Sequence, residues 1–408
     1  MRKLDVCLGC REDDVSVGAL AEDRGRIYFQ YDASFLDRGL ELSPFRLPLQ
    51  PGLIEHRDRE FGPLPGLFDD SLPDGWGLLL MDRHFRAGGL QPGAITPLDR
   101  LAWLGQRTMG ALTYHPSSDE DGVDNRRLDL RDMAREATAI LAGTTQDVLP
   151  RLLRAGGSPG GARPKVLVGL RLDRDEVISG ADEPPPGYEP WIVKFAGPAD
   201  LGDAGPLEYA YALMAAEAGI DLPPTRLFAT AGGALFFGVR RFDRQGHRRI
   251  HVHTFGNLIH SNFRIPSADY ADLMKVTSLL TRDQRQVSRA FRRMVFNVAA
   301  HNRDDHVKNF AFLLDEYSGE WSLSPAYDLI FSPGPGGEHT MTVAGEGRHP
   351  GRPHLLQVGE QAGLSRPEAG RILEEVRAAI DRWPAHAEST GVTRRTITEV
   401  AGRLPSLS

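Results

Sequence analysis

The stretch AAHNRDDHVKNFAF, residues 299–312, gathers two adjacent carboxylates, two histidines, a lysine and an asparagine directly behind an apolar run. Asp304, four intervening residues and Asn309 form the pattern D-x-x-x-x-N. Phosphoryl transfer needs a carboxylate at the attacking hydroxyl and oxygen ligands for magnesium, all on a rigid turn. Asp304 is accordingly read as the group that orients the acceptor and Asn309 as a metal ligand, the division of labour in a kinase catalytic loop. A solvated helix end explains the charge but not its confinement between VFNVAA and FAFLL.

A second acidic metal ligand is expected a short hairpin downstream. FAFLLDEYSGEWSLSPAYDLIF supplies two strand-like runs around the EYSGE turn and then Asp328. Magnesium takes a few oxygen ligands plus waters, a demand that Asn309 and Asp328 meet together. Upstream, SPGGARPK is a glycine-rich turn whose backbone N–H groups can cover phosphates, through Gly160, Gly161, Ala162, Arg163, Pro164 and Lys165. Lys194, on the apolar strand WIVKF, is placed to pair with phosphate, and Glu208, early in the next helix, to orient that lysine.

Each of these has a plainer reading alone: the loop as a connector, Lys194 as a strand-edge charge, Asp328 as a turn residue. Together and in chain order they point to a nucleotide-dependent phosphotransferase. The rival chemistry is a metal hydrolase using His301, Asp304, Asp305 and His306. It leaves Lys308, Asn309 and everything upstream without a role.

These residues need elements to hold them. The 408 residues exceed the size of one growing core, so two or three domains are expected. Alternation such as RIYFQY, with Ile27, Phe29 and Tyr31 facing one way, predicts strands up to about Tyr114. Inside that region DDSLPDGWGLLLMDRHF predicts a helix with Ser71 and Asp74 as N-terminal caps. HPSSDEDGVDNRR reads as a linker, followed by a helix from Asp129 through about Leu153. Strands, a helix ending at Gly219 and the strand GALFFGVRRF come next. From about Asp269 the pattern is mainly helical, with Val287, Ala290, Phe291, Met294, Val295 and Val298 forming one stripe. The resulting expectation is a β-rich N-terminal module over 1–118, a mixed lobe with the phosphate loop over 119–257 and a helical lobe with the catalytic loop over 258–408.

Composition narrows the function classes. A net charge of -7 argues against nucleic-acid binding through a large basic face of the chain itself. Cys7 and Cys10 form one C-x-x-C without a second pair or a flanking βαβ pattern, a weak zinc or redox signal beside which core packing is the plainer reading. The start MRKLDVCLGC lacks the apolar region of a signal peptide and no run approaches the roughly 20 apolar residues of a membrane span, so a cytoplasmic protein is expected.

Taken together, VGALAEDRGRIYFQYD, LFDDSLPDGWG, SPGGARPKVLV, WIVKF, VRRFDR, NRDDHVKNFAF and SPAYDLIFS resemble HipA-type serine/threonine kinases, the toxins of bacterial toxin–antitoxin pairs, over nearly the whole chain. The resemblance implies an α+β, protein-kinase-like two-lobed fold with an added β-rich N-terminal module and a mainly helical C-terminal lobe. It implies ATP and Mg2+ as cofactors, Asp304 as catalytic base, Asn309 and Asp328 as magnesium ligands and Lys194 as the strand lysine on phosphate. It further implies Arg240, Arg241 and Phe242 as the linker that contacts adenine, and His306, Lys308 and Tyr327 as nucleotide contacts. Ser158 matches a serine that is autophosphorylated in the family, where the phosphate ejects the loop; here it would add nearly two negative charges beside Arg163 and Lys165. Pro164 departs from relatives that carry an acidic residue there and removes one backbone donor. The implied partners are a helix-turn-helix antitoxin of the HipB type, operator DNA through that antitoxin, and a protein substrate such as an aminoacyl-tRNA synthetase. A small-molecule kinase of the aminoglycoside or choline type, and a catalytically silent corepressor, are the alternative readings.

Overall fold

The computed structural model describes residues 2–9, 15–118, 127–145, 148, 150–157, 160–179, 184–197, 202–230 and 232–405. Alternating apolar residues make half-buried strands at the N-terminus, as their spacing predicts. Strands β1 (Arg2–Leu8), β2 (Val15–Asp23), β3 (Arg26–Tyr31), β4 (Ile54–Glu55) and β5 (Leu112–His115) form one antiparallel sheet in the order β4-β3-β2-β1-β5. In β3 the three inward residues Ile27, Phe29 and Tyr31 are buried.

A second antiparallel sheet contains β6 (Lys165–Arg171), β7 (Glu176–Ser179), β8 (Glu189–Lys194), β9 (Thr225–Ala229) and β10 (Leu235–Arg240), ordered β7-β6-β8-β10-β9. Its apolar runs are continuous because both faces are covered: six of the seven residues of β6 are buried. The register sets Lys165 of β6 and Phe237 of β10 on either side of Lys194 of β8. The helix Ala204–Glu217 packs on β9 and β10 and carries Glu208 on its buried side. After a short hairpin of β11 (Arg244–Gln245) and β12 (Arg248–Arg249), strands β13 (His251–Thr254), β14 (Ala311–Leu314) and β15 (Trp321–Leu323) form a small sheet beneath the cleft. The helical lobe is built around Gln284–Ala299, whose stripe Val287, Ala290, Phe291, Met294, Val295 and Val298 lies in the core.

The N-terminal module is joined to both lobes. Its helix Gly75–Ala87 buries Trp76, Leu80 and Met81 in one cluster with Val166, Val168, Trp191 and Val193 of the second sheet. Its own sheet and Leu67 and Phe68 share another core with Phe255 and with Tyr270 and Phe310 of the helical lobe.

Two local expectations are corrected. The single helix from Asp129 to Leu153 is two helices, Leu130–Leu141 and Pro150–Gly156, because Gly143 enters the left-handed region at φ 70° and proline opens the second one. Neither predicted cap of Gly75–Ala87 acts as one: the Ser71 hydroxyl bonds the Tyr114 hydroxyl at 2.8 Å, and Asp74 holds the N-cap position without a side-chain capping bond. Cys10 and most of the linker stretch lie outside the described residues. No helix among the described residues is long and apolar enough to cross a membrane.

Candidate active site

Between the second sheet and the helical lobe lies a cleft with about 1440 Å3 of empty space, part of it continuous with solvent. Its roof starts at Lys194, the last residue of β8. The Lys194 ammonium donates to Glu208 Oε1 at 2.6 Å and to Asp328. Burial opposes its charge, but the Asp328 and Glu208 carboxylates outweigh it and push its pKa up to about 12. Across the ladder Lys165 donates from Nζ to Gly160 O at 2.5 Å, and burial, with Lys194 adding repulsion, lowers its pKa. Two lysines side by side are tolerable because the Asp328 and Glu208 carboxylates act on both.

The glycine turn hangs from this strand pair. Gly161 sits at φ 93°, where a side chain would be strained, and a Cβ there would also displace the end of the Lys165 side chain. Arg163 reaches Glu208 at 3.5 Å, and Pro164 O accepts the Phe195 N–H at 2.8 Å. The missing N–H of Pro164 therefore leaves a loop still tied to the sheet through its carbonyl.

The floor is the stretch AAHNRDDHVKNFAF. His306 Nδ1 accepts the Lys308 N–H at 3.2 Å and opens a short turn, Val307–Asn309. The Asn309 amide group donates to Asp304 O at 2.6 Å, which leaves its side-chain oxygen for another partner. Tyr327 donates its hydroxyl to Lys308 O at 2.8 Å and stacks on Phe242 with ring centroids 5.7 Å apart. Asp328 follows in a left-handed conformation at φ 53°, a strained position for an aspartate. Burial alone would raise its pKa, but Lys194 and then Lys165 hold it well below the carboxylate range.

Asp304 stands at the rim, exposed, with no hydrogen bond to its carboxylate among the described residues. Partial enclosure, helped by the Asp328 and Asp305 carboxylates and opposed by His306, raises its pKa above the ordinary aspartate value. Its neighbour Asp305 is different. It is fully buried and accepts from the Tyr270 hydroxyl at 2.7 Å, His339 Nδ1 at 2.8 Å and the Thr340 N–H at 2.9 Å. His301 turns the other way and stacks on Phe331. The four side chains of the hydrolase reading therefore do not converge, and no cluster of three or more His, Cys, Asp or Glu among the described residues is placed to hold a metal.

The cleft thus brings together Gly160, Gly161, Lys165, Lys194, Arg240, Arg241, Phe242, His306, Lys308, Asn309, Tyr327 and Asp328. Ala162, Arg163, Pro164 and Asp304 lie beside it rather than in its lining. The Arg241 guanidinium is locked in a buried two-bond pair with Asp243, which also lines the cleft, at 2.9 and 2.7 Å, while the Arg241 N–H donates to Pro190 O. With that side chain buried and the N–H already donated, any contact of Arg241 with a base would come through its carbonyl oxygen. Ser158 lies outside the described residues.

Residues that sequence reasoning missed come from the N-terminal module. Asp69 accepts the Lys308 ammonium at 2.9 Å. Asp70 accepts from His253 Nδ1 at 2.6 Å, the Thr254 N–H at 2.8 Å and Asn257 Nδ2 at 2.8 Å. Asp74 accepts the Gly161 N–H of the glycine turn. Local spacing carries no sign of these partners, which are 87 or more positions away.

Residues 8–115 match the family description HipA N-terminal domain, and residues 157–383 match HipA-like C-terminal domain. "Putative kinase Y4dM" of Sinorhizobium fredii is 27% identical over 287 residues, which span 65% of this chain and 62% of that protein, less than two thirds of its length. Among solved structures, HipA of Shewanella oneidensis, determined with HipB and its operator DNA, superposes with a TM-score of 0.73 at 17% identity, over 98% of this chain and 94% of that one. The likeness carries the fold: α+β, two-lobed and kinase-like, with an added β-rich N-terminal module and a mainly helical C-terminal lobe.

Proposed function

Because this chain belongs to the HipA family, we propose that it is an ATP- and magnesium-dependent serine/threonine protein kinase acting as the toxin of a toxin–antitoxin pair. The observation that carries the proposal is the convergence on one cleft of Lys194, Asn309 and Asp328, with Asp304 at its rim. Magnesium fits the donors present: the Asn309 side-chain oxygen and the Asp328 carboxylate are hard oxygens, and Lys194 and Lys165 favour the charged form of Asp328. When bound, the ion would neutralise charge developing on the transferred phosphoryl group.

The chain's own residues do the rest. Lys194 and Lys165 set positive charge beneath the glycine turn, where the phosphates of ATP would lie. Gly160 and Gly161 offer backbone close to those phosphates, and Phe242 and Tyr327 supply an aromatic wall suited to a base. Asp304 orients the incoming hydroxyl and receives its proton; its exposed position leaves room for a protein substrate. Ser158 is proposed as the autophosphorylation site. A HipB-type antitoxin, of the kind solved with the Shewanella protein, is the proposed partner and the route to operator DNA. An aminoacyl-tRNA synthetase is the proposed class of substrate.

The test is transfer from labelled ATP to proteins of a host lysate. The wild-type chain should label at least one protein on serine or threonine, and Asp304→Ala should label none. Persistent labelling by Asp304→Ala, or turnover on a metabolite with no protein labelled, would refute the assignment.

A further inference from the structure

We infer that residues 69–76 of the N-terminal module are a brace that positions the glycine turn against the catalytic loop, with Asp74 as its main positioning residue. The inference rests on the kinase reading above and deepens it. At one end, Asp74 and the glycine turn exchange bonds. The Asp74 carboxylate accepts the Gly161 N–H, and Gly161 O in return accepts the Trp76 N–H at 3.0 Å. The turn thereby supplies the cap that the helix Gly75–Ala87 lacks locally. The Trp76 indole N–H adds a bond to Lys165 O at 3.0 Å, at the start of β6. Between them Gly75, at φ 45°, lets the two backbones touch: a Cβ there would lie 2.6 Å from Gly161 O and 2.7 Å from Ala162 Cα.

At the other end Asp69 holds the Lys308 ammonium, one residue before Asn309. Asp70 fixes the same segment to His253 and Thr254 of β13 and to Asn257 just after it. Eight residues therefore tie the roof of the cleft to its floor, and the two loops are registered through a third body rather than through each other. Asp74 also lines the cleft. By charge alone it would repel a triphosphate, so deleting it should tighten ATP binding unless its positioning of the turn matters more. The sign of the change separates the two effects.

The experiment compares Asp74→Ala and Asp74→Asn with the wild-type chain, measuring KM for ATP, kcat, thermal midpoint and amide hydrogen exchange over residues 160–165 without nucleotide. A charge-assisted bond to a backbone N–H supports an expected change of about tenfold. Asp74→Ala should raise KM for ATP about tenfold, leave kcat within about twofold and speed exchange in the turn. Asp74→Asn keeps an oxygen for the Gly161 N–H and should restore most of both. A KM that falls or stays level in Asp74→Ala overturns the brace. So does Asp74→Asn matching Asp74→Ala while both lose the same thermal stability, since that outcome marks a merely structural residue. A wild-type chain that never uses ATP would sink the kinase reading instead, and the exchange comparison would still decide the brace.

Discussion

Replacing Lys194 with methionine separates what the buried ion pair does for stability from what it does for catalysis. The side chains of Lys194 and Glu208 are 10% and 5% exposed and their charged atoms lie 2.6 Å apart. Removing one partner of such a pair strands a charge in a poorly solvated place, which costs roughly 3–5 kcal/mol. Arg163, 3.5 Å from the other Glu208 oxygen, still offsets part of that charge. Asp328 is more than a third open to water and adds little to the penalty. The expected loss for Lys194→Met is therefore at the lower end, about 3 kcal/mol in urea unfolding. Adding Glu208→Gln removes the stranded charge at nearly constant volume and should restore about 2 kcal/mol. Phosphoryl transfer should remain at least roughly 100-fold down in both variants, because the cation beneath the phosphates is gone in each. The reasoning fails if Lys194→Met unfolds at the wild-type urea midpoint, or if the double variant is no more stable than the single one.

The pair of adjacent aspartates gives three further predictions. Asp304 must be ionised to take a proton, and its pKa is raised, so kcat/KM should fall as pH drops through a value above the ordinary Asp value of about 3.9. An acid limb at or below that value would contradict the assignment. Asp305→Ala leaves the Tyr270 hydroxyl, the His339 ring and the Thr340 N–H without their acceptor, and should cost roughly 2–4 kcal/mol in denaturant unfolding. Asp304→Ala, at an exposed position, should stay within about 0.5 kcal/mol of wild type.

What the sequence made legible is what chain neighbours decide. Asp304, Asn309 and Asp328 are separated by one turn and one hairpin, so residue types and spacing carry their relation directly. The stripe on Gln284–Ala299 and the alternation in β3 are likewise local consequences of periods 3.6 and 2. The Lys194–Glu208 pair spans one strand-to-helix connection and could still be anticipated. Asp74 could not. It looks like a helix cap because it stands before Gly75, yet its partner is the Gly161 N–H, 87 positions on. The same holds for Asp69 and Lys308, which are 239 positions apart. These contacts exist only because the N-terminal module shares a core with each lobe, and no local pattern encodes a shared core.

The central claim is that Asn309 and Asp328 together hold a divalent ion beside a nucleotide. Binding of Mn2+ in the presence of a non-hydrolysable ATP analogue, measured by calorimetry and by the spectrum of the ion, tests it directly. The account predicts one nucleotide-dependent ion in the wild-type chain and its loss in both Asn309→Ala and Asp328→Ala, each still folded. Nucleotide-dependent Mn2+ bound at wild-type affinity in Asp328→Ala would contradict it.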